Sequence, residues 1–123
     1  MSEFEIIADD NNLCGEGAIW NARRGELSGS DRSRSLVFLY TPATGEKRTI
    51  SDRVMAAGIA LHDSGGYVFA GSEGVCIWRG PDDLTPIATH HENEKLFFND
   101  ILADPRGRVY GGCCYWGADG MEK

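Results

Sequence analysis

Apolar residues along this chain fall in short runs, each closed by a cluster of Gly, Asp, Asn or Pro. Segments 18–20 (AIW), 35–41 (SLVFLYT), 58–62 (GIALH), 67–71 (YVFAG) and 75–78 (VCIW) have the length and the β-branched and aromatic content of strands. Residues 21–25, 63–66 and 104–107 supply the Asn, Asp, Pro and Gly that tight hairpin turns require. No stretch of useful length carries a helical period, so the chain reads as nearly all β.

The runs recur. Gly25, Gly66 and Gly107 lie 41 residues apart, as do Trp20, Leu61 and Leu102, and also Ile19, Ala60 and Ile101. Gly71 with Gly112 and Asp63 with Asp104 keep the same interval. Each repeat opens with an apolar strand, a Gly-containing turn and a second strand. Segments 35–41 and 75–78 then read as third strands, and 47–50 and 85–89 as fourth strands. Four short strands in about 40 residues is the unit of a β-propeller blade.

The expected organisation is one incomplete propeller domain over residues 1–123, with blades at 15–50 and 55–89 and a partial blade at 97–123. Residues 4–8 (FEIIA) are expected to form a strand outside these repeats, of the kind that closes a ring by pairing with the other end of a chain. About two and a half blades cannot close a ring alone. Their open edges are expected to favour self-association.

Composition sharpens this picture. The 16 glycines in 123 residues, nearly twice the usual ~7%, are scattered at turns rather than grouped as a linker. A formal charge of −7 argues against nucleic acid or an anionic membrane surface as a partner. No apolar run approaches the ~20 residues that span a bilayer. The opening residues are acidic, without the cationic and apolar regions of a secretory signal, so a cytoplasmic setting is expected. Cys14, Cys76, Cys113 and Cys114 lack a C-x-x-C spacing and read as reduced, packed side chains.

The segment Gly15-Glu16-Gly17-Ala18-Ile19-Trp20, followed by Arg24-Gly25-Glu26-Leu27, resembles the G-E-G-P-x-W and G-x-L opening of the senescence marker protein (regucalcin)/gluconolactonase/luciferin-regenerating-enzyme-like family. The likeness continues in Tyr40-Thr41-Pro42-Ala43-Thr44-Gly45-Glu46, similar to Y-D-P-A-T-G-E, and in residues 55–61. It is strongest at Phe98-Asn99-Asp100, Asp104-Pro105-Arg106-Gly107-Arg108 and Gly111-Gly112, similar to F-N-D, D-P-x-G-R and x-G. It covers nearly the whole chain but only the N-terminal portion of a family member. The resemblance implies an all-β fold, a partial six-bladed β-propeller of four-stranded antiparallel sheets.

It also implies chemistry. Family members hold a divalent metal at the channel mouth through a Glu, an Asn and an Asp, and open a lactone by polarising its carbonyl toward activated water. Such oxygen donors suit calcium, manganese or magnesium, and zinc can also use them. The resemblance thus implies a metal-dependent hydrolase of the sugar-lactone type, with a small-molecule lactone as partner. The alternative is a catalytically inactive truncated propeller that serves as a binding or assembly module.

Residue by residue, Glu16 matches the family's first metal ligand and Asn99 its substrate-contacting Asn. No catalytic residue of the family falls within this chain. The 41-residue repeat aligns Glu16 with Ala57 and Phe98, and Asn99 with Gly17 and Gly58, at the starts of innermost strands. Phe97 stands where many sugar-lactone members have Arg, and Gly117 where regucalcin has a second substrate-contacting Glu. The second strand of the first blade, residues 27–31 (LSGSD), departs from the family's apolar and aromatic pattern. The metal-completing Asn and Asp of the family lie in later blades. Asp100 is expected to be a structural partner, and His90, His91, Glu92 and Glu94 a solvated loop. Residues 113–116 (CCYW) are expected near the channel mouth, shaping a pocket or simply packing.

Overall fold

Hairpin turns fold the chain back at each Gly-containing cluster, and the computed structural model describes residues 3–117 and 120–122, with 116, 117 and 120–122 as backbone only. Strands β1 (Gly15–Asn21), β2 (Glu26–Asp31), β3 (Leu36–Thr41) and β4 (Glu46–Ser51) pair antiparallel in chain order. A second sheet of the same order joins β5 (Ala56–Leu61), β6 (Tyr67–Gly71), β7 (Gly74–Gly80) and β8 (Asp83–Ala88). A small hairpin, β9 (His90–His91) with β10 (Glu94–Lys95), leads into β11 (Phe98–Ala103) paired with β12 (Val109–Cys113). A separate hairpin of β13 (Tyr115–Gly117) and β14 (Gly120–Glu122) follows. The chain is therefore all-β, a partial propeller. No helix of the described residues is long and apolar enough to cross a membrane.

Alternation along the strands decides what each sheet face meets. Val37, Leu39 and Ile50 of the first sheet pack against Ala56, Ile59, Tyr67 and Phe69 of the second. Tyr67 and Phe69 stack with centroids 6.1 Å apart, and Trp78 tilts against both. Full burial of an aliphatic or aromatic side chain contributes about 1.5–3 kcal/mol, so this junction anchors the molecule.

The opposite face of the second sheet uses Ala60, Val68, Ala70 and Val75 to receive Ile101 and Phe98. Ladder register places Phe98 and Gly111 where the second sheet has Ala56 and Phe69. Large and small residues have thus exchanged places across the hairpin. A Cβ on Gly111 would lie 2.5 Å from Phe98 Cε1, so the Phe98 ring claims that space. An apolar cleft of about 430 Å³, lined by Ile77, Ile87, Phe98 and Ile101 among others, remains at this second junction.

Two sequence expectations change. The first concerns register. Gly15↔Asp31, Ala56↔Gly71 and Phe98↔Cys113 are matching rungs, so the inner strands repeat after 41 and then 42 residues. Gly107 is accordingly the counterpart of Gly65, not of Gly66. Both are left-handed, with φ of 79° and 94°, and each donates its N–H to the carbonyl three residues earlier. The connection into β11, lengthened by the β9–β10 hairpin, shifts the phase. Ile101 then matches Ile59 and faces back onto the second sheet, while Leu102 matches Ala60.

The second concerns residues 4–8, which form no strand. Phe4 and Ile6 are 96% and 81% exposed, and no described sheet edge offers this segment a ladder. Contacts with the first sheet come further on: Asp10 pairs with Lys47, and the Leu13 and Cys14 N–H groups donate to the Asp31 carboxylate at 3.0 and 3.3 Å.

Candidate functional site

The innermost strands β1, β5 and β11 lie side by side, with β5 in contact with both neighbours. Their close approach depends on missing side chains. A Cβ on Gly17 would meet Ile59 Cγ1 at 2.9 Å, and one on Gly58 would meet the Ile101 backbone nitrogen at 2.6 Å. Each inner strand also carries a register break near its start, between Glu16 and Ile19, Ala56 and Gly58, and Phe98 and Asp100. Such bulges re-aim side chains and recur beside functional sites.

Counting from the matching rungs, the next residue is Glu16 on β1, Ala57 on β5 and Asn99 on β11. This corrects the sequence alignment, which set Asn99 beside Gly17 and Gly58. Glu16 and Asn99 each follow the first matching rung of inner strands separated by β5, but Glu16 is itself paired with Ser30, whereas Asn99, like Ala57, lies in the register break. Hydrogen bonds repeat the match of the first rungs: Arg32 N–H donates to Cys14 C=O at 3.0 Å, and Cys114 N–H donates to Phe97 C=O at 2.8 Å.

Around Glu16 the chain builds a small polar cluster. Its Oε1 lies 3.9 Å from an Arg32 guanidinium nitrogen and 3.9 Å from the Cys14 thiol. Arg32 is three-quarters buried, whereas the Glu16 carboxylate is about one-third exposed. Buried Ser30 Oγ donates to the Ala56 carbonyl at 2.7 Å and lies 3.3 Å from the Glu16 carbonyl, tying the Glu16 strand to β5.

Asp31 anchors the segment before Glu16. Burial pushes its carboxyl up, but hydrogen bonds from the Leu13 and Cys14 N–H groups, with Arg34 at 3.3 Å, hold it below the ordinary carboxylate value. Ser30 and Arg32 were not legible as functional neighbours. The alternation of small Ser28 and Ser30 was the available signal, since such residues on one strand face suit a sheet pressed close behind them.

Asn99 is exposed on β11, and Asp100 Oδ1 turns back to accept the Ile101 N–H at 2.8 Å. Residues 90–94 form the exposed β9–β10 hairpin, in which His90 contacts Thr89 at 3.0 Å. The Trp116 side chain lies outside the described ones. A wider concavity of about 780 Å³ opens among the hairpin tips of Arg24, His62 and Arg106, at the other end of the inner strands from Glu16.

Glu16 and Asn99 offer a carboxylate and an amide oxygen, the donor type a hard cation takes. Calcium takes about six to eight oxygens, and two are too few. Among the described residues no group of three or more His, Cys, Asp or Glu is placed to hold a metal. The donors fit such an ion in kind but not in number.

The family model for the SMP-30/Gluconolactonase/LRE-like region matches residues 14–123. Regucalcin from Xenopus laevis is 26% identical over 112 residues, covering 89% of this chain and 38% of the relative. Pentonolactonase XacC from Haloferax volcanii is 26% identical over 106 residues, covering 86% of this chain and 36% of the relative. A solved gluconolactonase from Xanthomonas campestris superposes with a TM-score of 0.70 at 17% identity, over 80% of this chain and 34% of that one, and shows the likeness of fold. The chain spans little more than a third of the length of these relatives.

Proposed function

Because the chain belongs to the SMP-30/gluconolactonase/LRE-like family, we propose that it forms part of a metal-dependent hydrolase that opens a sugar lactone. Glu16 contributes one carboxylate ligand to a divalent cation, and Asn99 hydrogen-bonds the lactone. The observation that supports this reading is that Glu16 borders the register break of β1 and Asn99 lies in that of β11, each one residue past a matching rung. Those starts converge because Gly17 and Gly58 let the inner strands approach.

The Glu16 carboxylate brings negative charge to a partly desolvated position. Arg32 stands beside that carboxylate, and Ser30 ties the backbone of Glu16 to that of Ala56. The Asn99 amide presents both a donor and an acceptor to a hydroxylated ring. A bound divalent cation would supply Lewis acidity toward a carbonyl oxygen. Phe97 gives the lactone an apolar neighbour in place of a cationic donor.

The test measures calcium and manganese binding by calorimetry and hydrolysis of aldonolactones by pH-stat, for a full-length version that carries this chain and for its Glu16→Gln and Asn99→Ala variants. Glu16→Gln is expected to abolish both cation binding and cation-dependent hydrolysis. Asn99→Ala is expected to raise KM about ten- to a hundred-fold and leave cation binding in place, as loss of a substrate hydrogen bond would. Hydrolysis that survives Glu16→Gln unchanged would refute the assignment.

A further inference from the structure

The three hairpin tips that follow β1, β5 and β11 surround the concavity of about 780 Å³ at the end of the inner strands opposite Glu16. Its base is apolar. Trp20, Leu61 and Ala103 stand on matching rungs of the three inner strands, and all three line it. Leu61 is 38% exposed although β1 and β11 both pack beside its strand, so the opening belongs to the tips and not to a free sheet edge. Trp20, in the same layer, is 51% exposed.

The walls carry positive charge that the chain does not neutralise. Asp63 and Asp104 are the acidic side chains lining the concavity among the described residues. Asp63 pairs with Arg23 at 3.4 Å, across the first two tips. Asp104 serves its own hairpin: it accepts the Arg106 and Arg108 N–H groups at 2.8 and 2.9 Å and pairs with the Arg108 guanidinium at 2.6 Å. Arg24 and Arg106 are left without a carboxylate within 4.0 Å among the described residues. Arg24 reaches over the second tip, where its Nη2 lies 3.0 Å from the point a Cβ would take on Gly65.

His62 supplies a third donor, from the middle tip. The Ser64 N–H donates to His62 Nδ1 at 3.2 Å, and Ser64 Oγ lies 2.7 Å from the same nitrogen. With Nδ1 accepting, the ring proton sits on Nε2. Two guanidiniums and an imidazole N–H thus come from three successive tips over an aromatic and aliphatic base. A carboxylate has one charge and two oxygens, which a single guanidinium fork satisfies. A phosphomonoester carries about −1.5 to −2 charges and three terminal oxygens, which match all three groups. A flat ring attached to it would stack on the Trp20 indole. The formal charge of −7 opposes a polyanion, so a single phosphate fits where a nucleic acid does not.

We propose that this concavity is a second ligand site, for a phosphomonoester carried on a flat ring, the chemistry of a mononucleotide. Arg24 and Arg106 hold the phosphate, His62 donates to it from Nε2, and Trp20 stacks on the ring. The site lies at the other end of the inner strands from Glu16 and Asn99, and it stands independently of the lactonase reading.

The experiment is calorimetry on a full-length version that carries this chain, with adenosine monophosphate, adenosine and inorganic phosphate as probes. Adenosine monophosphate is expected to bind at least about ten-fold more tightly than either of the others, since it alone uses both the charged walls and the apolar base. Arg24→Ala and Arg106→Ala should each weaken it about ten- to a hundred-fold, as loss of a charged hydrogen bond does. Both side chains are exposed, so neither truncation opens the core. Trp20→Leu should weaken adenosine monophosphate about five- to a hundred-fold and leave inorganic phosphate unchanged. Lys95→Ala removes one positive charge beside Glu73, at the far end of the second sheet, and should change nothing. Glu16→Gln should also keep the binding.

Absence of saturable adenosine monophosphate binding would overturn the proposal. So would affinity equal to that of inorganic phosphate, or a loss in Lys95→Ala or Glu16→Gln as large as that in Arg24→Ala.

Discussion

Gly58→Ala tests how the inner strands are held together. The new Cβ would stand 2.6 Å from the Ile101 backbone nitrogen, 2.8 Å from Ile101 Cγ1 and 3.1 Å from the Asp100 carbonyl carbon. Two of these atoms are backbone, so a rotamer change cannot relieve the overlap. Strand β11 must move about 1 Å away from β5. Overpacking of this kind costs about 1–3 kcal/mol. Loss of glycine's freedom in the unfolded chain returns about 0.4–1 kcal/mol. A net loss of about 1–2 kcal/mol follows. With an unfolding entropy of about 2.1 cal/mol/K per residue, the 123-residue chain should melt about 4–8 °C lower. The assay is a thermal scan by near-ultraviolet circular dichroism, with Gly112→Ala as control. Gly112 has nothing within 4 Å of its would-be Cβ, so its variant should melt level with the parent or up to about 4 °C above it. Equal melting of the two variants would refute the packing account. On the lactonase proposal, the displacement would also move Asn99 relative to Glu16, so lactone KM should rise in Gly58→Ala and not in Gly112→Ala.

Three further outcomes follow from the same coordinates. Ser30→Ala removes the buried hydroxyl that serves the Ala56 carbonyl, and should lower stability to urea by about 1–3 kcal/mol, whereas Ser30→Thr should lose less if its hydroxyl keeps the bond. Asp31 has a folded pKa below its ordinary 3.8, so its stabilisation is complete above that value and is lost as pH falls through the folded one. Urea midpoints measured from about pH 6 to pH 2 should therefore fall more steeply for the parent than for Asp31→Asn. Burial pushes the Cys76 thiol up to about 11, which keeps it protonated at neutral pH. In a timed reaction with a thiol reagent at pH 7.5, Cys76 should be the slowest cysteine to label, and early labelling at this position would contradict its burial.

Much of the fold was legible because its signals are local. Hairpin turns at residues 21–25, 63–66 and 104–107 depend on Gly, Asn and Asp in adjacent positions. Apolar runs of strand length report burial on two faces, as in residues 67–71, all buried. Residues 4–8 misled for the opposite reason. Their alternation is that of a strand, but a strand needs a neighbour's N–H and C=O groups, and composition cannot say whether an edge is in reach. Ser30 and Arg32 escaped notice because their partners are the Ala56 carbonyl and the Glu16 carboxylate, 26 and 16 residues away.

The sequence by itself determined that this is a repeating all-β chain, where its turns fall, and that Glu16 and Asn99 resemble residues of a lactonase family. Tertiary structure decided how those two residues relate. Identity columns align residues at a constant spacing of 41, whereas hydrogen-bonded rungs align them by backbone pairing, and the pairing slides by one residue before β11. In a strand a slip of one residue carries a side chain to the other face. That single residue moved Asn99 from the place of Gly58 to the place of Ala57, in the register break at the start of the inner strand. It also turned Leu102 outward, away from the second sheet.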